Sequence, residues 1–180
     1  MTAVETLPDY LRPGLDIVLV GLNPSIPSAQ TGRYFANPRN RFWRAFNAAG
    51  LVPEALGPES DYRMLDFGIG MTDVVKRPTA GVGDLTAADF RDGAADLRER
   101  LLAASPRIVS FHGVTAAAQY RRHAGGSRDR VALGLQEWRI GESAVFVTPN
   151  PSPANASFSL EALTAWYSRL KELRDRLKSA

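Results

Sequence analysis

The chain has 180 residues and a net charge of +3, and its hydrophobic and charged fractions, 44% and 23%, are those of an ordinary globular protein. It has no cysteine and only two histidines, His112 and His123, which excludes disulfides, iron–sulfur clusters and cysteine-bound zinc and predicts no metal site. No apolar run approaches the roughly 20 residues that span a bilayer, and no signal-type leader opens the chain, so we expect a cytoplasmic protein without membrane contact.

Strand and helix patterns alternate along the first part of the chain. An irregular arm over 1–14 precedes an apolar run that predicts a buried strand over about 16–20. A helix is predicted over 41–50, with its apolar side chains on one face. Proline and glycine then predict a turn or short helix over 53–61, and a loop with a short strand follows at 65–75.

The second part of the chain continues this alternation. Thr86, with Asp89 three residues later, resembles a capping box and starts a helix predicted over 86–104. Beyond it the pattern predicts a strand over 108–111, a helix over 114–122, a loop over 124–130, two short strands at 138–140 and 144–148, and a last helix over 159–178.

The order of these elements predicts the fold class. Strands that are apolar without alternation are buried on both faces, which favours an α/β three-layer sandwich with a mostly parallel central sheet. We expect one domain over 1–180. Ligands of such folds bind at the carboxyl ends of strands. Three segments leave strand ends, at 21–40, 68–79 and 149–157, so the site is expected where they converge.

The segment 21–43 has the composition of a binding loop. It carries Asn23, further amides, hydroxyl side chains and the aromatic pair Tyr34 and Phe35 directly after a buried strand. That mixture suits a pocket that stacks on a flat polar ligand and hydrogen-bonds to it. Asn-Pro pairs also form simple turns. Clustered arginines favour a polyanionic partner. They are Arg33, Arg39, Arg41 and Arg44.

Two other segments offer candidate groups. The loop 148–157 is stiffened by three prolines and has small side chains, so it could enter a DNA groove and fill the space of a displaced base, or serve only as a rigid connection to the last helix. Asp73 follows an apolar segment that contains glycine, and such an aspartate is either a catalytic carboxylate or a cap. His112 is interpreted as a structural residue.

Three sequence blocks resemble one known family. Gly21-Leu22-Asn23-Pro24 is similar to a GINPG motif and is followed by TG…FA.P.NRFW over 31–43. The pattern T..V.RPT runs over 72–79, and Asn150-Pro151-Ser152 is similar to an NPS motif. In these blocks the chain resembles the mismatch-specific uracil-DNA glycosylases, the thymine-DNA glycosylase-like branch of the uracil-DNA glycosylase superfamily.

The resemblance implies a fold, an activity and a set of residues. The fold is the three-layer uracil-DNA glycosylase sandwich, and the activity is cofactor-free hydrolysis of the N-glycosidic bond of uracil, or also thymine, flipped out of mismatched DNA in base-excision repair. The expected partner is double-stranded DNA with G·U or related mismatches, bound by a monomer. Asn23 would hold the attacking water. The base would be held by Leu22, Ser28, Phe35 and Asn150, and the DNA by Arg41, Ser152, Pro153, Ala154, Asn155 and Ala156.

The chain departs from the family pattern at two places. Asp73 stands where a compared member of the family carries a lysine, so we expect this carboxylate to supplement or replace Asn23 in catalysis. Residues 153–156 replace a glycine, a bulky leucine, a serine and an arginine, which predicts weak discrimination for guanine opposite the lesion. Lys76 is the lysine to follow for a lyase step, which we do not expect.

Other interpretations stay open from sequence. The same fold could prefer hypoxanthine, xanthine or an alkylated cytosine adduct. The chain could also be a mismatch-binding module with weak catalysis, or a nucleotide-binding protein that does not bind DNA, although the latter leaves the stiff loop unexplained.

Overall fold

Five strands form one sheet in a computed structural model, which describes residues 5–180. The strands are β1 (Ile17–Gly21), β2 (Ile69–Asp73), β3 (Ile108–His112), β4 (Gly134–Ile140) and β5 (Ser143–Thr148). Their order is β2-β1-β3-β5-β4, and every neighbouring pair is parallel except β4 with β5. The mostly parallel sheet confirms the prediction from sequence.

Helices connect the strands. They are α1 (Ile26–Thr31), α2 (Phe42–Ala49), α3 (Ala87–Ala104), α4 (Val114–His123) and α5 (Leu160–Ser179), with 3-10 helices at Pro58–Phe67 and Val82–Asp84. The capping box predicted for α3 is present, since the Thr86 side chain accepts from the Asp89 N–H. None of the described helices is long and apolar enough to span a membrane.

Each face of the sheet carries its own hydrophobic core, as a three-layer sandwich requires. Ile17 and Leu19 of β1 pack on one side with residues of α2 and α5, such as Phe46 and Leu170. The alternate residues of β1 pack on the other side with residues of α3 and α4. Successive side chains of β1 point to opposite faces of the sheet, and both faces are covered by apolar residues. The sequence of β1 is therefore an unbroken apolar run.

The structure differs from the sequence prediction at 26–31. Residues 26–31 form the short helix α1, which was predicted as loop. Its start signal is Ser25, whose side chain accepts from the Ser28 N–H, but six residues are too few to show an apolar period. Residues 69–73 form β2, which is the short strand expected within 65–75, so Asp73 is the last residue of a strand and pairs with Gly21 of β1.

The structure explains why a glycine occupies position 70 within β2. The backbone carbonyl of Tyr10 lies where a Cβ at position 70 would stand. Tyr10 and Met71 exchange backbone hydrogen bonds of 2.9 and 3.0 Å, so this part of the arm covers the outer edge of β2. Such coverage shields an edge strand from pairing with other chains. Residues 1–4 of the arm predicted over 1–14 lie outside the described residues.

Candidate functional site

A cavity of about 550 Å³ opens at the carboxyl ends of the parallel strands. Its walls come from 21–40, from the end of β2 with 79–82, from His112 at the end of β3, and from 150–154. The three segments that the sequence singled out therefore converge on one site. The cavity has both polar and apolar walls, which suits a flat ligand with hydrogen-bonding edges.

Asn23 presents a fixed amide beside this cavity. Its Nδ2 donates to the carbonyl of Arg77 at 3.0 Å and to Oγ1 of Thr79 at 2.8 Å. A carbonyl only accepts, so these contacts determine which end of the amide is nitrogen. No donor among residues 5–180 hydrogen-bonds to Oδ1. Oδ1 is thus available to accept a hydrogen bond from water or ligand.

Asp73 places a buried carboxylate in the wall of the same cavity. Its side chain is 5% exposed, and Oδ2 has no hydrogen-bond partner among the described residues. A Cβ at Gly21 would lie 2.5 Å from Oδ1, so the glycine makes room for the carboxylate. Burial raises the pKa of Asp73 to about 7; Lys76 and Arg100 act against the rise, and Asp9 adds to it. A carboxylate of this pKa exchanges a proton near neutral pH.

Lys76 is engaged away from the ligand space. Its Nζ lies 2.8 Å from Oδ1 of Asp9 and 3.9 Å from Oδ2 of Asp73. Neither Lys76 nor any other lysine lines the cavity formed by the described residues. Lys76 therefore lies closer to Asp9 than to Asp73, and its charge offsets only part of the rise that burial causes in the pKa of Asp73.

Phe35 adopts a backbone conformation that its neighbours enforce. Its φ is +54°, in the left-handed region, which costs a bulky residue about 1–3 kcal/mol. Two contacts hold the preceding residue: the Tyr34 N–H donates to Oδ2 of Asp61 at 2.8 Å, and Nε1 of Trp43 donates to the Tyr34 carbonyl at 3.0 Å. The next N–H, of Ala36, donates to Oγ of the buried Ser28.

The Phe35 ring forms part of an aromatic group at the cavity. It stacks on Phe42 with 4.1 Å between centroids and meets His112 edge-on at 5.4 Å. His112 is buried, and neither ring nitrogen has a hydrogen-bond partner in the part of the chain that the structure describes. Burial lowers the pKa of His112 to about 3, so the imidazole is neutral at physiological pH. The structure thus adds His112 to the cavity wall, beyond the structural role predicted for it.

The segment from Asn150 to Phe158, called the 150–158 loop below, forms the opposite wall. Asn150 accepts from the Ser152 N–H at 3.0 Å, and Nδ2 of Asn155 donates to the Asn150 carbonyl at 3.0 Å. Pro153 and Ala154 are exposed at the cavity rim, and Ala156 is exposed beyond it. Leu22 is buried and lines the cavity as well.

Arg41 was predicted to contact DNA, and the structure gives its side chain other partners. Its guanidinium donates to the carbonyl of Asn155 at 2.7 Å and to those of Ser152 and Phe158. A phosphate contact by Arg41 stays a prediction, while the observed contacts are all with the 150–158 loop.

Comparison with known proteins identifies the family of this chain. The uracil DNA glycosylase superfamily matches the chain over residues 8–174. The chain belongs to that superfamily. A uracil DNA glycosylase candidate from Methanosarcina acetivorans, solved by solution NMR, is 25% identical and superimposes with a TM-score of 0.60. That match covers 94% of this chain and 98% of the other.

Membership implies that this uracil DNA glycosylase superfamily protein is a hydrolase that acts on DNA in base-excision repair. The structure brings Asn23, Ser28, Phe35, Asp73 and Asn150 together around its cavity. The roles assigned to them from sequence stay predictions.

Sequence reasoning missed two polar residues that shape the glycosylase site. Thr79 orients Asn23, and its own hydroxyl donates to the Gly81 carbonyl at 2.8 Å. Asp61 is fully buried and accepts from Tyr34, from Arg33 at 3.1 Å and from the Tyr10 hydroxyl at 3.0 Å. Thr79 lay inside a motif that could have drawn attention, whereas Asp61 had no sequence signal.

Replacing Asp61 by alanine is expected to lower the free energy of unfolding by about 1–3 kcal/mol, because the buried Tyr34 N–H loses its acceptor. Urea denaturation measures the change. Glu54→Ala is the matched control, since Glu54 pairs with Arg63 at the surface, where solvent screens the ion pair and little stability is lost. Equal losses in the two variants would contradict a structural role for the Asp61 network.

Proposed function

We propose that this superfamily member is a monofunctional glycosylase that hydrolyses the N-glycosidic bond of uracil flipped out of mismatched duplex DNA. The observation that carries the proposal is the buried Asp73 carboxylate, with one oxygen unpartnered within the described chain, in the wall of the cavity that Asn23 also lines. A carboxylate and a fixed amide acceptor together suit the activation of one water molecule.

The proposed reaction develops positive charge on the sugar as the base departs. Water oxygen bonds to C1′, the C1′–N1 bond breaks, and its electron pair leaves with the base. Oδ1 of Asn23 accepts a hydrogen bond from the water, and ionised Asp73 takes the water proton. The base leaves as an anion that backbone N–H groups of 21–35 can stabilise, and it is protonated afterwards by solvent.

The aromatic wall and the opposite loop support base flipping. Phe35 offers a ring on which a flipped base can stack, and Asn150 offers an amide from the other side. Extruding a base costs a few kcal/mol and least for a mismatched one, so weak pairs are selected by their own instability. The exposed tip with Pro153 and Ala154 would fill the gap left in the helix.

The proposal is tested with oligonucleotides that carry uracil opposite guanine, opposite adenine or in a single strand. Uracil release followed by alkaline cleavage measures excision, and strand breakage without alkali would contradict the absence of a lyase step. Because the tip alanine contacts the opposite base poorly, we expect any preference for U·G over U·A to come from pair stability alone, so that U·A and the single strand are substrates as well. A strict requirement for U·G would contradict this expectation and favour the mismatch-specific branch.

A broader base range is the second candidate function. A cavity of about 550 Å³ falls within the range of pockets that hold ligands larger than a pyrimidine. The same assay with hypoxanthine, xanthine and an alkylated cytosine adduct tests it. If one of these bases is released faster than uracil, that base is the main substrate. If no base is released, the result favours a mismatch-binding module.

A further inference from the structure

The 150–158 loop has no helix or strand to hold its backbone. It follows β5 and passes through Pro151 and Pro153 before α5 begins. Its internal hydrogen bonds join Asn150 with Ser152 and Asn155, and Ser152 with Ala154 and Asn155. Loop carbonyls that point toward the protein still need donors, because an unpaired buried polar group is costly.

Arg41 supplies those donors from a distant part of the chain. Nη2 donates to the carbonyls of Asn155 at 2.7 Å and Ser152 at 3.3 Å, and Nη1 donates to that of Phe158. The Arg41 backbone N–H donates to the Pro151 carbonyl at 3.2 Å. One residue at the start of α2 thus contacts carbonyls along most of the loop.

This geometry conflicts with a phosphate-binding role for the same side chain. An arginine binds phosphate best with two parallel N–H groups, and both terminal nitrogens of Arg41 already donate to carbonyls. Its Nε is buried without a partner among residues 5–180, so that nitrogen does not face solvent either. Arg44, farther along the same helix, is exposed to solvent.

We propose that Arg41 is a positioning residue that fixes the 150–158 loop in the shape that enters duplex DNA, and does so without contacting DNA itself. The inference rests on the proposed insertion of this loop. A loop ordered before binding does not lose conformational freedom when it inserts, so fixing it favours the flipped state in a duplex. A single-stranded substrate leaves no gap to fill, so its excision does not depend on Arg41.

The test compares Arg41→Met with Arg44→Met, the matched control on the same helix. In Arg41→Met we expect single-turnover uracil release from duplex DNA to fall about tenfold or more, since small misplacements of a positioning group have effects of this size. Release from a single strand should stay within about twofold of wild type. Arg41→Lys keeps the charge but cannot reach three carbonyls, so its rate of uracil release from duplex DNA should lie between those of wild type and Arg41→Met.

Two further measurements separate positioning from direct binding. The slope of log K against log salt should be unchanged in Arg41→Met, whereas loss of one phosphate contact lowers it by about 0.9. Amide hydrogen exchange over the 150–158 loop of the DNA-free protein should become faster in Arg41→Met and not in Arg44→Met.

The proposal would be overturned by equal losses on duplex and single-stranded substrates, by a reduced salt slope, or by unchanged exchange in the loop. Exchange is measured without DNA, so it tests the fixing of the loop even if wild type releases no uracil. A wild-type protein that releases no uracil would contradict the proposed function but not the fixing of the loop by Arg41. If Arg41→Met fails to fold, the same three measurements on Arg41→Lys decide.

Discussion

Replacing Asp73 by asparagine is expected to lower the single-turnover rate of uracil release at about pH 8 by about 10²- to 10⁴-fold, the usual contribution of a general base. In wild type the rate should rise with pH through about 7, because burial raises the pKa of Asp73 to that value and only the ionised carboxylate takes a proton from water. Asparagine has nearly the same shape but does not ionise in this pH range, so the increase of the rate with pH should vanish in Asp73→Asn. Rates measured on a single-stranded uracil substrate from about pH 5 to pH 9 test both expectations.

The same substitution is expected to stabilise the protein at neutral and alkaline pH. Asp73 has a folded pKa of about 7 against its ordinary value of 3.8, so the folded state binds more protons than the unfolded state between these values. Stability contributed by the protonated carboxyl is therefore present at low pH and lost as pH rises toward 7, by on the order of 1.4 kcal/mol for each unit of pKa difference.

Urea denaturation of both proteins across pH isolates this contribution, since other groups affect both alike. The advantage of Asp73→Asn should grow from about pH 4 to about pH 7 and then stay constant. A variant that loses stability at every pH would show that the carboxylate is held by favourable contacts, and unchanged excision would exclude Asp73 from catalysis.

Replacing Asn23 by alanine is the second large effect. We expect the rate to fall by about 10²-fold or more, because the water loses the acceptor that orients it toward the sugar. An amide does not titrate in this range, so the rise with pH should remain in Asn23→Ala and disappear only in Asp73→Asn. Single-turnover rates at several pH values distinguish the two roles.

Thr79→Val is the control for loss of local structure around Asn23. It removes the hydroxyl that Asn23 Nδ2 contacts at 2.8 Å but leaves the amide and its bond to the Arg77 carbonyl. A much smaller decrease than in Asn23→Ala is expected. Equal decreases would assign the effect to disruption of 77–79 and would contradict a water-orienting Asn23.

The fold was largely predictable because its signals are local. The apolar runs of β1, β3 and β5 are long enough to mark strands buried on both faces, and the capping box marks the start of α3. β2 was less distinct since Gly70 reflects the close approach of Tyr10, a contact between residues distant in sequence. The helix α1 is too short for its period to be visible.

The site was predictable in its loops and less so in its internal contacts. The segments that converge on the cavity could be inferred because parallel strands end at one edge of a sheet. No local pattern shows that Arg41 points into the 150–158 loop rather than to solvent, or that Asp61 is buried beneath Tyr34. Such partners become visible only when the chain is folded.

The pairing of Gly21 with Asp73 limits the order in which this site can change during evolution. A side chain at position 21 would lie too close to Oδ1 of the carboxylate in its present position, so alanine there requires the carboxylate to shift or position 73 to carry a smaller residue. The two positions are therefore coupled, and substitutions at position 21 are expected to be better tolerated when position 73 no longer carries aspartate.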